Sequence, residues 1–439
     1  MEWYLALAVI VGAFVIMLAM GMPVAFSLLF VNIIGVLLWW GGEAGLEQLI
    51  LSIASSVTSF SLMPVPMFIL IGEVVFHTGV ASRAIEALDA WLGRMPGRLS
   101  FLAVFAGTIF ATLSGSSVAG VATLGSVLVP EMEERGYKKP MTLGPILGAG
   151  GLSIMIPPSA LGVLLACLAR ISVGAILIAI IVPGLLMALF YIIYIFIRAK
   201  LQPWLAPPYE KPPVPLAKKS ADFGRYVLPL AIIVFFVIGV VFLGLGSPSE
   251  AAALGALASF VLAACYKKLN WETLKRSLGT TTRITVMMFM IFTGATAFSQ
   301  ILAFTGATTG LCHFFVGLPV PRLGLVIIMQ LILLAMGTFM EPLAIMMVTI
   351  PIYLPVIASV GFNPLWFGTI MLLNMEMATL SPPFGLALFA MKGVAPSDTT
   401  MGDIYKAAIP FLGLQILVMG LMMVFPSLSL WLPGQMIVH

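Results

Sequence analysis

Gly148-Ala149-Gly150-Gly151-Leu152-Ser153-Ile154-Met155-Ile156-Pro157-Pro158-Ser159 interrupts one long apolar run. Asn374-Met375-Glu376-Met377-Ala378-Thr379-Leu380-Ser381-Pro382-Pro383-Phe384-Gly385 interrupts another. Proline removes a backbone donor and frees a carbonyl one turn earlier, so two prolines beside glycine or serine unwind a helix that would otherwise continue. Unwound backbone in apolar surroundings survives only where protein or a watery cavity covers it. Freed carbonyls with nearby Ser and Thr hydroxyls make an oxygen cage suited to a hard cation such as Na⁺. The half-helix N-termini carry partial positive charge and can hold an anion.

The two breaks are related. A shift of 225 residues superposes Pro157-Pro158 on Pro382-Pro383, Gly21 on Gly246, Pro23 on Pro248, Pro130 on Pro355 and Gly136 on Gly361. A shift of 224 brings Arg98-Leu99 onto Arg322-Leu323. Proline and glycine punctuate backbone geometry, and agreement without a gap at so many of them indicates an internal duplication. The reading is residues 1–200 as a first repeat, 201–225 as a proline-rich, extended linker, and 226–439 as a second repeat.

Lipid is the solvent for most of this chain. Of 439 residues, 61% are hydrophobic and 9% charged, against about 25% charged in an ordinary soluble domain. A crossing needs about 20 apolar residues. Ten spans satisfy that rule, beginning near Trp3, Met22, Phe60, Pro140, Ser172, Tyr226, Pro248, Ile284, Pro364 and Tyr405. Two further stretches, about 99–130 and 323–356, are too long for one crossing and too short for two. Each is broken in its middle, at Ser114-Gly115-Ser116-Ser117 and at Gly337-Thr338 with Glu341-Pro342. Both read as re-entrant hairpins, each followed by a broken helix (140–168 and 364–391). With hairpins there, all of the 21 basic residues except Arg170 and Arg322 fall on one side, the cytoplasmic side by the positive-inside rule. Both termini then face the periplasm. Five crossings per repeat is an odd number, so the second repeat enters inverted. The fold class is therefore an all-α polytopic membrane protein of two inverted repeats, each with five spans and one re-entrant hairpin. Such repeats with discontinuous helices mark secondary transporters, with the site near the midplane.

Other features weigh less. Glu341 and Glu376 fall at membrane depth, where an acid either couples a proton or cation or braces backbone. Glu73 reads as hydrogen-bonded to a neighbouring helix. Glu250 closes a Ser-x-x-Glu capping box behind Ser247. Ser82–Arg98 reads as an amphipathic helix on the cytoplasmic face or a charged loop. Cys167, Cys265 and Cys312 have no paired spacing, which speaks against disulfides and zinc. His77 and His313 read as isolated packing residues. An intramembrane enzyme needs a nucleophile with a base, or a metal cluster, and neither pattern is present.

Ser-Gly-Ser-Ser-Val-Ala (114–119), Gly150 to Ser159, Ser-Pro-Ser-Glu-Ala-Ala-Ala (247–253), Met336 to Pro342, and Leu380 to Gly385 recur in order along nearly the whole chain. Together they resemble the large membrane subunit of tripartite ATP-independent periplasmic (TRAP) transporters. The resemblance implies an elevator-type, ion-transporter-superfamily-like carrier in a bacterial inner membrane. It implies Na⁺-driven uptake of a small organic acid, often a carboxylate. The expected partners are a small four-helix membrane subunit as a separate chain and a soluble periplasmic substrate-binding protein, with no nucleic acid. Carried over residue by residue, one Na⁺ site uses Ser114, Ser117, Ser153, Ile156 and Pro158. A second uses Gly337, Thr338, Ala378, Ser381 and Phe384. Substrate lies between the hairpin tips, near Ser116, Met340, Glu376 and Thr379, with Glu341 and Glu376 open to proton or cation coupling. The chain departs from many relatives in having Ser153-Ile154 for Gly-Pro, and Ala378-Thr379-Leu380-Ser381 for Gly-Leu-Leu-Thr. The alternative within the class is a stand-alone H⁺- or Na⁺-coupled organic-anion carrier of similar architecture.

Overall fold

The computed structural model describes residues 2–93, 95–114, 117–209 and 214–437, with backbone alone for Ala81 and for 110–114. Among the described residues every regular element is helical. The first repeat comprises α1 (Trp3–Ala19), α2 (Val24–Trp39), α3 (Glu43–Val57), α4 (Pro64–His77), α5 (Val80–Trp91), α6 (Arg98–Ser114), α7 (Ser117–Glu134), α8 (Lys139–Met155), α9 (Ala160–Ala169), α10 (Val173–Ala179) and α11 (Ile181–Leu201). Between the repeats lies α12 (Leu216–Asp222). The second repeat comprises α13 (Leu228–Phe242), α14 (Pro248–Cys265), α15 (Trp271–Phe304), α16 (Ala307–Val316), α17 (Arg322–Gly337), α18 (Pro342–Ser359), α19 (Pro364–Leu380), α20 (Leu386–Val394) and α21 (Met401–Val424). Among the described residues, seven helical stretches are long and apolar enough to cross a membrane, or eight if α8 with α9, bent by 40° at the break, is taken as one span. At 17 and 16 residues, α1 and α2 are apolar but shorter.

The repeats interleave. α2 packs on α15 while its counterpart α14 packs on α4; α7 packs on α20 while α18 packs on α9. Close approach makes these contacts possible: Asn32 Nδ2 of α2 donates to the Gly294 carbonyl of α15 at 2.8 Å, and Leu28 of α2 lies over the same glycine. Two bodies result. One holds α1–α4 with α13–α15. The other holds both hairpins, both broken helices and α10, α11 and α21, with α8, buried from Met141 to Met155, at its centre.

Hairpin 1 returns to the side it came from, and the linker shows why. Gly97 N–H donates to the Ala206 carbonyl at 3.2 Å, and Lys138 N–H donates to the Leu205 carbonyl at 2.9 Å. The same short segment thus binds the chain just before α6 and just after α7. Tyr209 lies under the guanidinium groups of Arg135 (4.0 Å) and Arg98 (5.3 Å), and Arg98 is also paired with Asp89 of α5 at 2.7 Å. The extended linker of the sequence reading is therefore partly a docked clasp. It is also partly helix, since α12 runs into a π turn (Phe223–Val227) held by Trp91 against Phe223.

Four local expectations are corrected. α3 lies where the sequence suggests no span, because Glu43, Glu47, Gln48 and several serines dilute its apolar face. Its counterpart is the first half of α15, which is one helix of 34 residues beginning at Trp271 rather than near Ile284. Pro64 and Pro66 divide the first repeat at that point, and the second repeat has no proline there. The 10-residue α16, counterpart of α5, was missed for its shortness. His77 is not isolated, since it pairs with Glu73 on its own helix at 3.3 Å, while Glu73 also hydrogen-bonds Thr280 of the neighbouring α15, as expected. Two further expectations hold: α5 is amphipathic in pattern, and Ser247 with Glu250 forms the full capping box at the start of α14. The Glu250 carboxylate accepts from the Ser247 N–H at 2.7 Å and from the Ser247 hydroxyl at 2.9 Å.

Candidate functional site: two hairpin tips over two broken helices

Each break consists of residues that cannot continue a helix. α8 ends at Met155 and α9 starts at Ala160, with Ser159 Oγ capping the new helix by accepting from Gly162 N–H at 3.2 Å. α19 ends at Leu380 and α20 starts at Leu386. Both Pro-Pro bonds are cis.

Each hairpin tip presses on the broken helix of its own repeat, at matching positions. Ser117, the first residue of α7, brings its Oγ to 3.2 Å from Ser153 Oγ on α8. Gly337, the last residue of α17, lies so close to Ala378 on α19 that a Cβ added to it would stand 2.4 Å from the alanine methyl. Ser153 and Ala378 are counterparts under the 225-residue shift. Ile156 and Pro158 are buried in the first break. In the second, Ser381 Oγ donates to the Met377 carbonyl at 2.8 Å and Thr338 Oγ1 to the Ala335 carbonyl at 2.7 Å, leaving lone pairs on both hydroxyls. Phe384 is exposed, its ring 6.0 Å from that of Phe339. The Ser114 side chain and Ser116 lie outside the described residues.

Between the tips is a small cavity of about 180 Å³. Ser117 and Val118 line it from hairpin 1, Glu341, Pro342 and Leu343 from hairpin 2, and Ile154, Leu161, Thr379 and Leu386 from the broken helices. Ile69 of α4 with Ile284, Met287 and Met288 of α15 closes it from the other body. That apolar wall was missed in the sequence, where isoleucine and methionine are indistinguishable from lipid-facing residues. Met340 is half-buried beside the cavity. A larger cavity, about 750 Å³, lies apart from the tips, where Arg170 and Ser172 face Ser59–Ser61 and Ser247–Ser249 across the two bodies.

Glu376 does not face the cavity. It is 0% exposed, and its Oε2 accepts from Ser117 Oγ at 3.1 Å. Its space exists because residue 151 is glycine: a Cβ there would lie 1.5 Å from Glu376 Oε1. Glu376 and Gly151 are themselves counterparts, so the carboxylate of one repeat occupies the place a side chain of the other would fill. Thr379, which lines the cavity, donates to the Glu376 carbonyl at 2.8 Å. Nearby, Asn374 Nδ2 reaches the Gln330 carbonyl (2.8 Å) and Oε1 (2.9 Å), tying α19 to α17. The sequence reading missed that pair.

The family model described as "Tripartite ATP-independent periplasmic transporter, DctM component" matches residues 11–428. The chain belongs to this family. The C4-dicarboxylate TRAP transporter large permease protein DctM of Pseudomonas aeruginosa is 32% identical over 376 residues, covering 85% of this chain and 86% of that one. The isethionate TRAP transporter permease protein DctMQ of Oleidesulfovibrio alaskensis is 28% identical, covering 98% of this chain and 66% of the relative. Among solved structures, the YdaH transporter of Alcanivorax borkumensis superposes with a TM-score of 0.65 at 16% identity, over 91% of this chain and 90% of that one. That likeness speaks for the fold. The chain is thus a multi-pass TRAP membrane subunit whose relatives are transport permeases.

Proposed function

We propose that the chain imports a small organic acid across a bacterial inner membrane, driven by the Na⁺ gradient through an elevator movement. The observation that carries this reading is the convergence of both tips and both breaks on one small cavity, walled on its far side by a separate helical body. A cavity of about 180 Å³ is below the range of roughly 300–1,000 Å³ for drug-sized ligands and suits a solute of a few carbons. The Ser117–Ser153 hydroxyls and the Gly337, Ala378 and Ser381 backbone region are the two cation sites. Helix N-termini at Ser117 and Pro342 face the cavity and favour an anionic group. The larger void at the end away from the basic loops gives the hairpin body room to travel. Both termini face the periplasm.

The solute arrives on a soluble periplasmic binding protein, and a separate four-helix subunit braces the scaffold body in the lipid bilayer. The unmatched third of the isethionate relative leaves room for a fused partner there. The test is uptake into proteoliposomes containing the chain, the small subunit and the binding protein. An inward Na⁺ gradient should drive accumulation of an organic acid, and omitting the binding protein should abolish it. Full uptake by the membrane chain alone would instead mark a stand-alone carrier.

A further inference from the structure

We propose that the Glu376 carboxylate is a direct, negatively charged ligand of a Na⁺ held together with Ser117 and Ser153, so that one cation site is built from both repeats. The proposal rests on Na⁺ coupling as read above, and adds the residue that neutralises the ion. Three oxygens from three elements converge: Ser117 Oγ at the start of α7, Ser153 Oγ on α8 and Glu376 on α19. The Ser117 oxygen stands 3.1 Å from Glu376 Oε2 and 3.2 Å from Ser153 Oγ. A hard cation keeps oxygen ligands at roughly 2.4 Å, which sets neighbouring ligands about 3.4 Å apart around an octahedron. The observed spacings therefore need little adjustment to close on such an ion.

A second observation points the same way. Glu376 Oε1 is fully buried and has no hydrogen-bond partner among the described residues. A buried acceptor left unmade is unfavourable, and a lone carboxylate at membrane depth is costly unless it is paired. No ion pair to Glu376 occurs among the described residues; the nearby Tyr191 hydroxyl accepts from Gln415 and is itself uncharged. A monovalent cation supplies both the missing charge and the missing partner. The donor set, one carboxylate and two hydroxyls, is all hard oxygen, as an alkali ion requires. The second cation region, at Gly337 and Ala378, receives no carboxylate, because the counterpart of Glu376 is Gly151. The two sites then differ in charge, and the carboxylate site is the stronger.

The test is thermal unfolding of the purified chain titrated with NaCl against choline chloride at constant ionic strength, alongside the Na⁺ dependence of uptake. Na⁺ should raise Tm by mass action. Glu376→Gln, which keeps shape and can still accept from Ser117, should raise the half-saturating Na⁺ concentration roughly tenfold or more in both readouts. Should Glu376→Gln not be recovered folded, Ser153→Ala carries the same expectation through loss of one hydroxyl ligand. An unchanged Na⁺ midpoint in the variant, with wild type still Na⁺-driven, overturns the proposal, including the case where only pH dependence is lost and Glu376 carries a proton. Wild type that ignores Na⁺ in both readouts overturns Na⁺ coupling itself.

Discussion

At the scale of single residues, Ser117 joins the cavity to the first broken helix and to Glu376. It opens α7, lines the cavity, and hydrogen-bonds with both Ser153 and Glu376. Ser117→Ala combined with Ser114→Ala should abolish Na⁺-driven uptake while the protein stays folded in the membrane; unchanged Na⁺ dependence in reconstituted vesicles would count against the assigned role. Gly337 makes a second residue-level test. Its Cα hydrogen is what allows α17 to rest on Ala378, so Gly337→Ala forces the tip outward. Overpacking of this kind destabilises by about 1–3 kcal/mol, and Tm in detergent should fall together with transport. Much at this scale was hidden in the sequence. Glu376 was visible as an intramembrane acid, and its counterpart Gly151 could be found with the same 225-residue shift that aligned the prolines. What the shift does not reveal is that the helices cross at those two positions, because contact between repeats is a property of their packing.

At the scale of elements, hairpins and breaks were legible, because proline, glycine and serine in an apolar run have few other physical explanations. Helix ends set by polar dilution were not. Glu43 and Glu47 fall outside every span the sequence suggests and lie in α3, and the proline that separates α3 from α4 has no equivalent in α15. The clasp at the base of hairpin 1 was also illegible, since Tyr209 sits in a segment whose composition reads as extended. Burial pushes the Tyr209 hydroxyl up to about 12, so it stays neutral and packs as an aromatic face for Arg98 and Arg135. The clasp depends on Asp89 and Arg98, both nearly buried and 2.7 Å apart. Removing one member of such a pair leaves the other uncompensated, at about 3–5 kcal/mol. Asp89→Asn should therefore lower Tm clearly, and should make α6 and α7 exchange amide hydrogens faster near their cytoplasmic ends. No change in either would show that the clasp holds nothing.

At the scale of the whole molecule, the duplication explains how two hairpin tips and two broken helices come to share one cavity. Related segments meet around a pseudo-two-fold axis, and the interleaving of α2 with α15 and α14 with α4 ties the scaffold halves together. Only α5, α16 and the linker join that scaffold to the hairpin body in the chain, which is the connectivity a sliding body requires. The central claim is that both hairpin tips reach the aqueous cavity at the middle of the membrane. It is tested most directly by placing single cysteines at Val118 and Met340, with Cys167, Cys265 and Cys312 replaced by serine, and labelling with a membrane-impermeant maleimide from each side. The account predicts that both tips label slowly, and that solute with Na⁺ protects them. Tips that never label, or a cysteine at Glu134 that labels from the side opposite one at Arg98, would contradict it.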